Sequence, residues 1–230
     1  MTVAQRLRFT FARGEAAKYV SHLDLARLWE RALRRARLPV AYSSGFTPRA
    51  RIAFAAPLSV GHTAGAEPVD VYLSESVAPE EALARLRAQL PEGLTLLSAT
   101  AVDPGAPSLQ AQVRAAEYVV SFAEDVPELS ERVAALLARS EVPCERRREG
   151  KRLKALDLRP LIQALSVAPA IGATRLTMLL KMDTAGAARP DEVLAALGLA
   201  DRRLKIHRER LLLVATAGVS PGSESGALRS

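Results

Sequence analysis

Cysteine is almost absent: Cys144 is the only one in 230 residues. No internal disulfide can form, and a zinc site or cluster built on several thiolates has no ligands here. Histidine is nearly as rare. His22, His62 and His207 stand far apart with no acids at ligand spacing, so neither a metal nor a resident cofactor is expected. Aromatic residues make up 4% of the chain, too few for rows of base-stacking rings. Long apolar runs are missing too. None reaches the ~20 residues that span a bilayer, and the first residues, MTVAQRLRFTF, lack a secretory core. A cytoplasmic protein without membrane contact is expected. No Ser-His-Asp or Cys-His set is recognisable, and helix-turn-helix and zinc-finger spacings are absent, which disfavours sequence-specific reading of duplex DNA.

The chain does have apolar mass and positive charge. Hydrophobic residues reach 49%, enough for a packed core, and the formal net charge is +7. That charge is gathered. Residues 18–51 hold Lys18, Arg27, Arg31, Arg34, Arg35, Arg37, Arg49 and Arg51 against Asp24 and Glu30, eight against two and a local net of +6. Two smaller clusters follow: residues 145–159 at +4 (seven basic, three acidic) and 201–210 at +3 (five basic, two acidic). The remainder is then −6, so the protein is polarised, and positive charge on one surface attracts polyanions.

Periodicity predicts an α+β fold of two similar halves, each a ferredoxin-like (split βαβ) unit with an antiparallel sheet packed against helices. Leu7, Phe9 and Phe11 alternate as a strand. Ser21 with Asp24 three positions on marks a helix start, Leu25, Leu28, Trp29, Ala32, Leu33 and Ala36 fall at helical spacing, and Pro39 ends the run. Val40–Tyr42, 52–55 and 69–73 read as strands, 79–90 as a helix and 94–101 as a strand. Residues 103–113, rich in Pro, Gly, Ser and Gln, read as a linker between an N-terminal domain, 1–102, and a C-terminal one, 114–215. There the order repeats: strand 118–122, helix 128–138, extended 143–148, a short inserted helix 158–165, strand 175–181, helix 190–197, strand 204–214. Residues 216–230 read as a disordered tail.

The candidate site lies in the first cluster. Arg27, Arg31, Arg34 and Arg35 occupy i, i+4, i+7 and i+8 and predict one ridge opposite the leucines; Glu30 can pair with Arg34, but one glutamate cannot neutralise four arginines. Guanidinium forks match phosphate oxygens, although a solvated amphipathic face has the same pattern. Next comes Tyr42-Ser43-Ser44-Gly45-Phe46-Thr47-Pro48-Arg49, a turn stiffened by Pro48 with Arg49 and Arg51 beside it. Its aromatics either stack on unpaired bases or pack inward as in any ordinary turn. His22 with Asp24 is the catalytic candidate, as acid–base groups toward a bound phosphate or ribose. The alternative is a purely structural role at the helix start. If the three basic clusters share an orientation, they line an RNA track.

The run KYVSHLDLARLWERALRRARLPVAYSSGFTPRARIAFAAPLSVG, followed by Glu67 and Asp70, resembles the radical-SAM-linked protein family, a bacterial domain of unknown function. The likeness covers most of residues 5–210. It implies a link to a radical S-adenosylmethionine (SAM) protein, fused or encoded alongside, often near RNA-metabolism genes. It supplies no established activity. A radical SAM cluster takes three cysteines, so a separately encoded partner must carry it. The family pattern continues as Gly-Phe-x-Pro-His-Pro, whereas this chain has Gly45-Phe46-Thr47-Pro48-Arg49-Ala50, and Arg49 would substitute there as a phosphate ligand. The expectation is a noncatalytic RNA-binding accessory module. The alternatives are a metal-independent RNA endonuclease using His22 and a scaffold that docks the radical SAM protein.

Overall fold

Strand β1 (Gln5–Arg13) buries Leu7, Phe9 and Phe11 on one face and turns Arg6 and Arg8 to the other, as a period of two requires. The computed structural model describes residues 3–146, 154–170, 173–183 and 186–214. Helix α1 (His22–Arg35) follows, then β2 (Ile52–Phe54), β3 (Thr63–Leu73), α2 (Pro79–Arg87) and β4 (Leu94–Val102). The strands lie in the order β4-β1-β3-β2, every pair antiparallel. A helical turn, α3 (Leu109–Gln112), leads to β5 (Val113–Phe122) and α4 (Leu129–Leu137). A small hairpin, β6 (Pro143–Arg146) with β7 (Lys154–Asp157), precedes β8 (Ile162–Ala170), β9 (Ala173–Lys181), α5 (Pro190–Ala196) and β10 (Leu204–Leu213). The second half repeats the first order as β10-β5-β9-β8, again antiparallel. The fold is α+β, with two ferredoxin-like halves whose sheets pack against helices.

The halves share one sheet. β3 runs eleven residues: its C-terminal part pairs with β2, and its N-terminal part pairs in parallel with β10, through His207–Thr63, Arg208–Ala64 and Arg210–Ala66. Each half keeps its own core. In the first, Trp29 sits fully buried with its ring 5.1 Å from Phe11 and 6.1 Å from both Phe9 and Phe54. In the second, Tyr118, Val120 and Phe122 of β5 pack with Leu129, Val133, Leu136, Val193 and Leu194 of the helices.

The start of α1 follows its sequence signal: the Ser21 hydroxyl accepts from the Asp24 amide at 3.2 Å and donates to the Asp24 carboxylate at 2.7 Å. The end is made by a tertiary contact. Arg37 takes a left-handed φ of 53°, and Arg85 of α2 donates to the carbonyls of Ala36 and Arg37, satisfying groups a helix terminus leaves open.

Two segments differ from the sequence reading. Residues 158–165 are not a helix: a single 3-10 turn at Arg159–Leu161 passes into β8. Ile162 and Leu165 look helical at i and i+3, yet both are buried from one strand because the β8–β9 register shifts between Ile162 and Ala164. Val40–Tyr42 is no strand; it makes only single bridges, Val40 to Leu73 and Tyr42 to Ala50. Within 103–112, α3 buries Leu109 and Gln112, and Arg6 donates to the carbonyls of Ala106 and Pro107. Residues 216–230, expected to be disordered, and 147–153 of the second basic cluster lie outside the described residues.

Candidate nucleic-acid interface

Helix α1 buries Leu25, Trp29, Ala32 and Leu33 and thereby fixes which residues face out. Arg27, Glu30, Arg31, Arg34 and Arg35 are all exposed. At 3.6 residues per turn Arg34 lies within about 20° of Arg27, and Arg31 within about 40°. These three form the predicted ridge. Arg35 leaves it: about 80° round from Arg27, its guanidinium donates to the Gln89 carbonyl beyond α2 at 2.6 Å.

Beside the helix stands the glycine turn. Its base is closed by the Tyr42–Ala50 bridge, by the Ser43 amide donating to the Arg49 carbonyl (2.9 Å), and by the Arg49 amide donating to the Ser43 hydroxyl (3.0 Å). Gly45 adopts φ +137°, a conformation that side chains disfavour, and the chain turns there. Phe46 follows at the tip with its ring wholly in solvent, while Tyr42 at the base is half-buried. Of the two readings of the aromatics, Phe46 takes the outward one.

Helix and turn enclose a groove of about 370 Å³. Leu23, Ala26 and Ile52 give it apolar walls, and Arg27, Glu30 and Arg49 give it charged ones. Arg51 is not part of it. One residue from Ile52, it alternates to the other face of the sheet and sits over the Tyr72 ring at 4.7 Å, with Arg6 over the same ring at 5.5 Å.

Charge balance within the wall is incomplete. Arg27 faces Asp24 at 3.3 Å in an exposed pair worth little. Among the described residues no carboxylate lies within 4 Å of Arg31, Arg34 or Arg49, and none of the predicted Glu30–Arg34 pairing is formed. An exposed i,i+4 pair gains only about 0.2–0.5 kcal/mol, too little to hold two solvated chains together.

Several described cations of the other two clusters are met by acids. Arg208 is buried on Glu67, Arg210 faces Glu117 at 2.8 Å, Lys205 faces Glu15 at 3.5 Å and Arg202 faces Glu124 at 3.7 Å. Arg146 is held by both oxygens of Glu192 at 2.6 Å. Acids of their own thus meet these side chains, while Arg147, Arg148, Lys151 and Arg152 of the second cluster, and with them the RNA track that a shared orientation of the three clusters would line, lie outside the described residues.

His22 is exposed at the first turn, its ring edge-on to Phe54 with centroids 5.4 Å apart. Asp24 is spent on the cap; its hydrogen bond from Ser21, then that from Arg27, holds its carboxyl below the usual range. The structure does not bring the two together as an acid–base pair. Sequence reasoning missed three buried arginines, Arg6, Arg13 and Arg208, and the half-buried Arg8. Arg6 and Arg8 both grip the fully buried Asp70 (2.6–3.0 Å) on the face away from α1 and α2. Arg13 donates to the carbonyls of Ala17, Lys18 and Val20, tying the strand to the entry of α1, and Arg208 holds Glu67. Strand alternation in RLRF and HRER was the one signal for them. Among the described residues no three His, Cys, Asp or Glu gather to hold a metal ion, and no helix is long and apolar enough to cross a membrane.

Fold and site define an α+β module with two ferredoxin-like halves and an exposed arginine ridge beside a groove. The chain belongs to a family of uncharacterized proteins conserved in bacteria (DUF2344), whose model matches residues 6–190. No curated protein matches it. Among solved structures it is similar to a Cbf5-Nop10-Gar1 complex, at 13% identity and a TM-score of 0.45 over 88% of this chain. The chain spans about half, 49%, of the length of that match. It is also similar to a protein assigned as a glycine cleavage system transcriptional repressor, at 13% identity and a TM-score of 0.25, covering 89% of this chain and 96% of the other. Likenesses this distant carry no argument about function.

Proposed function

We propose that this protein is a noncatalytic RNA-binding accessory module that works with a separately encoded radical SAM enzyme in RNA modification or metabolism. One observation carries the reading. Arg27, Arg31 and Arg34 form one exposed ridge, with exposed Arg49 across the groove from it, and carboxylate partners there are scarce, although acids meet Arg146, Arg202, Lys205, Arg208 and Arg210 elsewhere. Such a wall is mildly self-repelling until a polyanion occupies it. The exposed Phe46 beside it offers a stacking face that unpaired bases accept and duplex phosphates do not use. The radical SAM link rests on the resemblance of residues 18–70, and Cys144 alone cannot ligate a cluster. An endonuclease centred on His22 is the less supported reading, since its ring packs on Phe54 and Asp24 serves the helix cap.

Filter binding of single-stranded RNA across a salt series tests the proposal. Four phosphate contacts at about 0.7 each give a slope of roughly −3 in log K against log salt. Absent or salt-independent binding ends the reading. Capture of the radical SAM protein by this chain after nuclease treatment would instead favour direct docking between the two proteins.

A further inference from the structure

Glu30 is the odd member of the wall. It is the only carboxylate lining the groove, it is exposed, and among the described residues no lysine or arginine nitrogen lies within 4 Å of its carboxylate, although Arg27, Arg31 and Arg34 neighbour it on the helix. A site for phosphate alone would gain nothing from a negative charge there. Leu23 and Ala26 on the same helix face and Ile52 across the groove supply apolar surface, and the volume of about 370 Å³ lies at the small end for ligand sites, which begin near 300 Å³. Apolar walls with one free acceptor pair and arginines at the rim match a nucleobase with its phosphate.

We propose that the groove takes one unpaired nucleotide and that Glu30 selects its base, guanine being preferred. The inference rests on the RNA-binding reading above. A carboxylate is acceptor-only, with two oxygens side by side. Guanine is the one common base whose Watson–Crick edge presents two adjacent donors, the ring N1–H and the exocyclic N2 amine. Cytosine and adenine set an acceptor nitrogen beside their amine, so a carboxylate gains one bond and meets one repulsion. Uracil flanks its single N–H with two carbonyls and fits worst. Arg49 and Arg27 at the rim hold the phosphates of the same strand, and Phe46 at the tip of the turn stacks the neighbouring base.

The test is fluorescence anisotropy with four 9-nucleotide uridine RNAs that carry G, C, A or U at the centre, at fixed moderate salt. A bidentate side-chain–base contact typically discriminates by about five- to 150-fold, so wild-type protein should bind the G-centred strand at least fivefold more tightly than the all-U strand. In Glu30→Gln that ratio should fall below about twofold, while affinity for the all-U strand holds or rises as a negative charge is lost. Equal, salt-sensitive binding of all four strands by wild type overturns base selection and leaves RNA binding standing. A guanine preference that survives in Glu30→Gln overturns the role of Glu30. No binding of any strand overturns the RNA reading and this inference with it. Matching thermal melts of the two proteins, expected for an exposed position, certify that the variant is folded.

Discussion

Arg208 of β10 and Glu67 of β3 form a buried, two-pronged ion pair across the parallel junction that joins the two halves. Nε of Arg208 donates to Glu67 at 2.7 Å, and the remaining donors reach the carbonyls of Pro57 and Ala56 at 3.1 and 3.3 Å. Burial alone would lower the Arg208 pKa, but the charge of Glu67 and its hydrogen bonds outweigh burial and the net direction is upward. A fully satisfied charge therefore sits where two hydrophobic cores meet.

Breaking that pair from one side strands the other charge. Glu67→Gln should destabilise the protein by about 3–5 kcal/mol, read from urea midpoints. Replacing both partners with methionine should recover most of the loss, because no uncompensated charge stays buried. A double variant as unstable as the single one would show that the pair does more than satisfy itself.

The geometry of the wall separates arginines that sequence groups together. Arg31→Ala with Arg34→Ala should lower the magnitude of the RNA salt slope by about 0.7 per lost phosphate contact. Arg35→Ala with Arg51→Ala should leave it unchanged, since these side chains are directed to Gln89 and Tyr72. Equal effects from both pairs would mean that net charge, not placement, governs binding.

Among the described residues Phe46 has nothing to pack against. Phe46→Ala should leave the melting temperature unchanged and weaken single-stranded RNA by about 1–3 kcal/mol, the contribution of one base stacked on an aromatic ring. An unaltered affinity would remove Phe46 from the interface.

His62 lies 3.5 Å from Asp191, linking the start of β3 to the start of α5. The hydrogen bond from His62 outweighs burial and holds the Asp191 carboxyl below its ordinary value. A depressed acid contributes stability above its unfolded pKa, about 3.9, and loses it as pH falls through the lower folded value. The difference in urea midpoint between wild type and Asp191→Asn should be full at about pH 5 and shrink toward about pH 3. A difference that is constant over that range would show that the charge of Asp191 is not what matters.

The sequence by itself determined the periodic elements: the Ser21 cap, the buried stripe of α1, and the doubled order of strands and helices, because these depend on neighbours within a few residues. It also located the basic segment. Tertiary structure decided what charge counting cannot. Arg27 and Arg49 end beside one groove while Arg35 and Arg51 turn elsewhere, and Arg146, Arg208 and Arg210 of the other clusters meet acids of their own. It also made 162–165 a strand, since pairing with β9 and a register shift outweigh the short helical pattern of 158–165. Partners such as Arg208 and Glu67 lie 141 positions apart, and a contact of that span exists only once the sheet has brought its strands together.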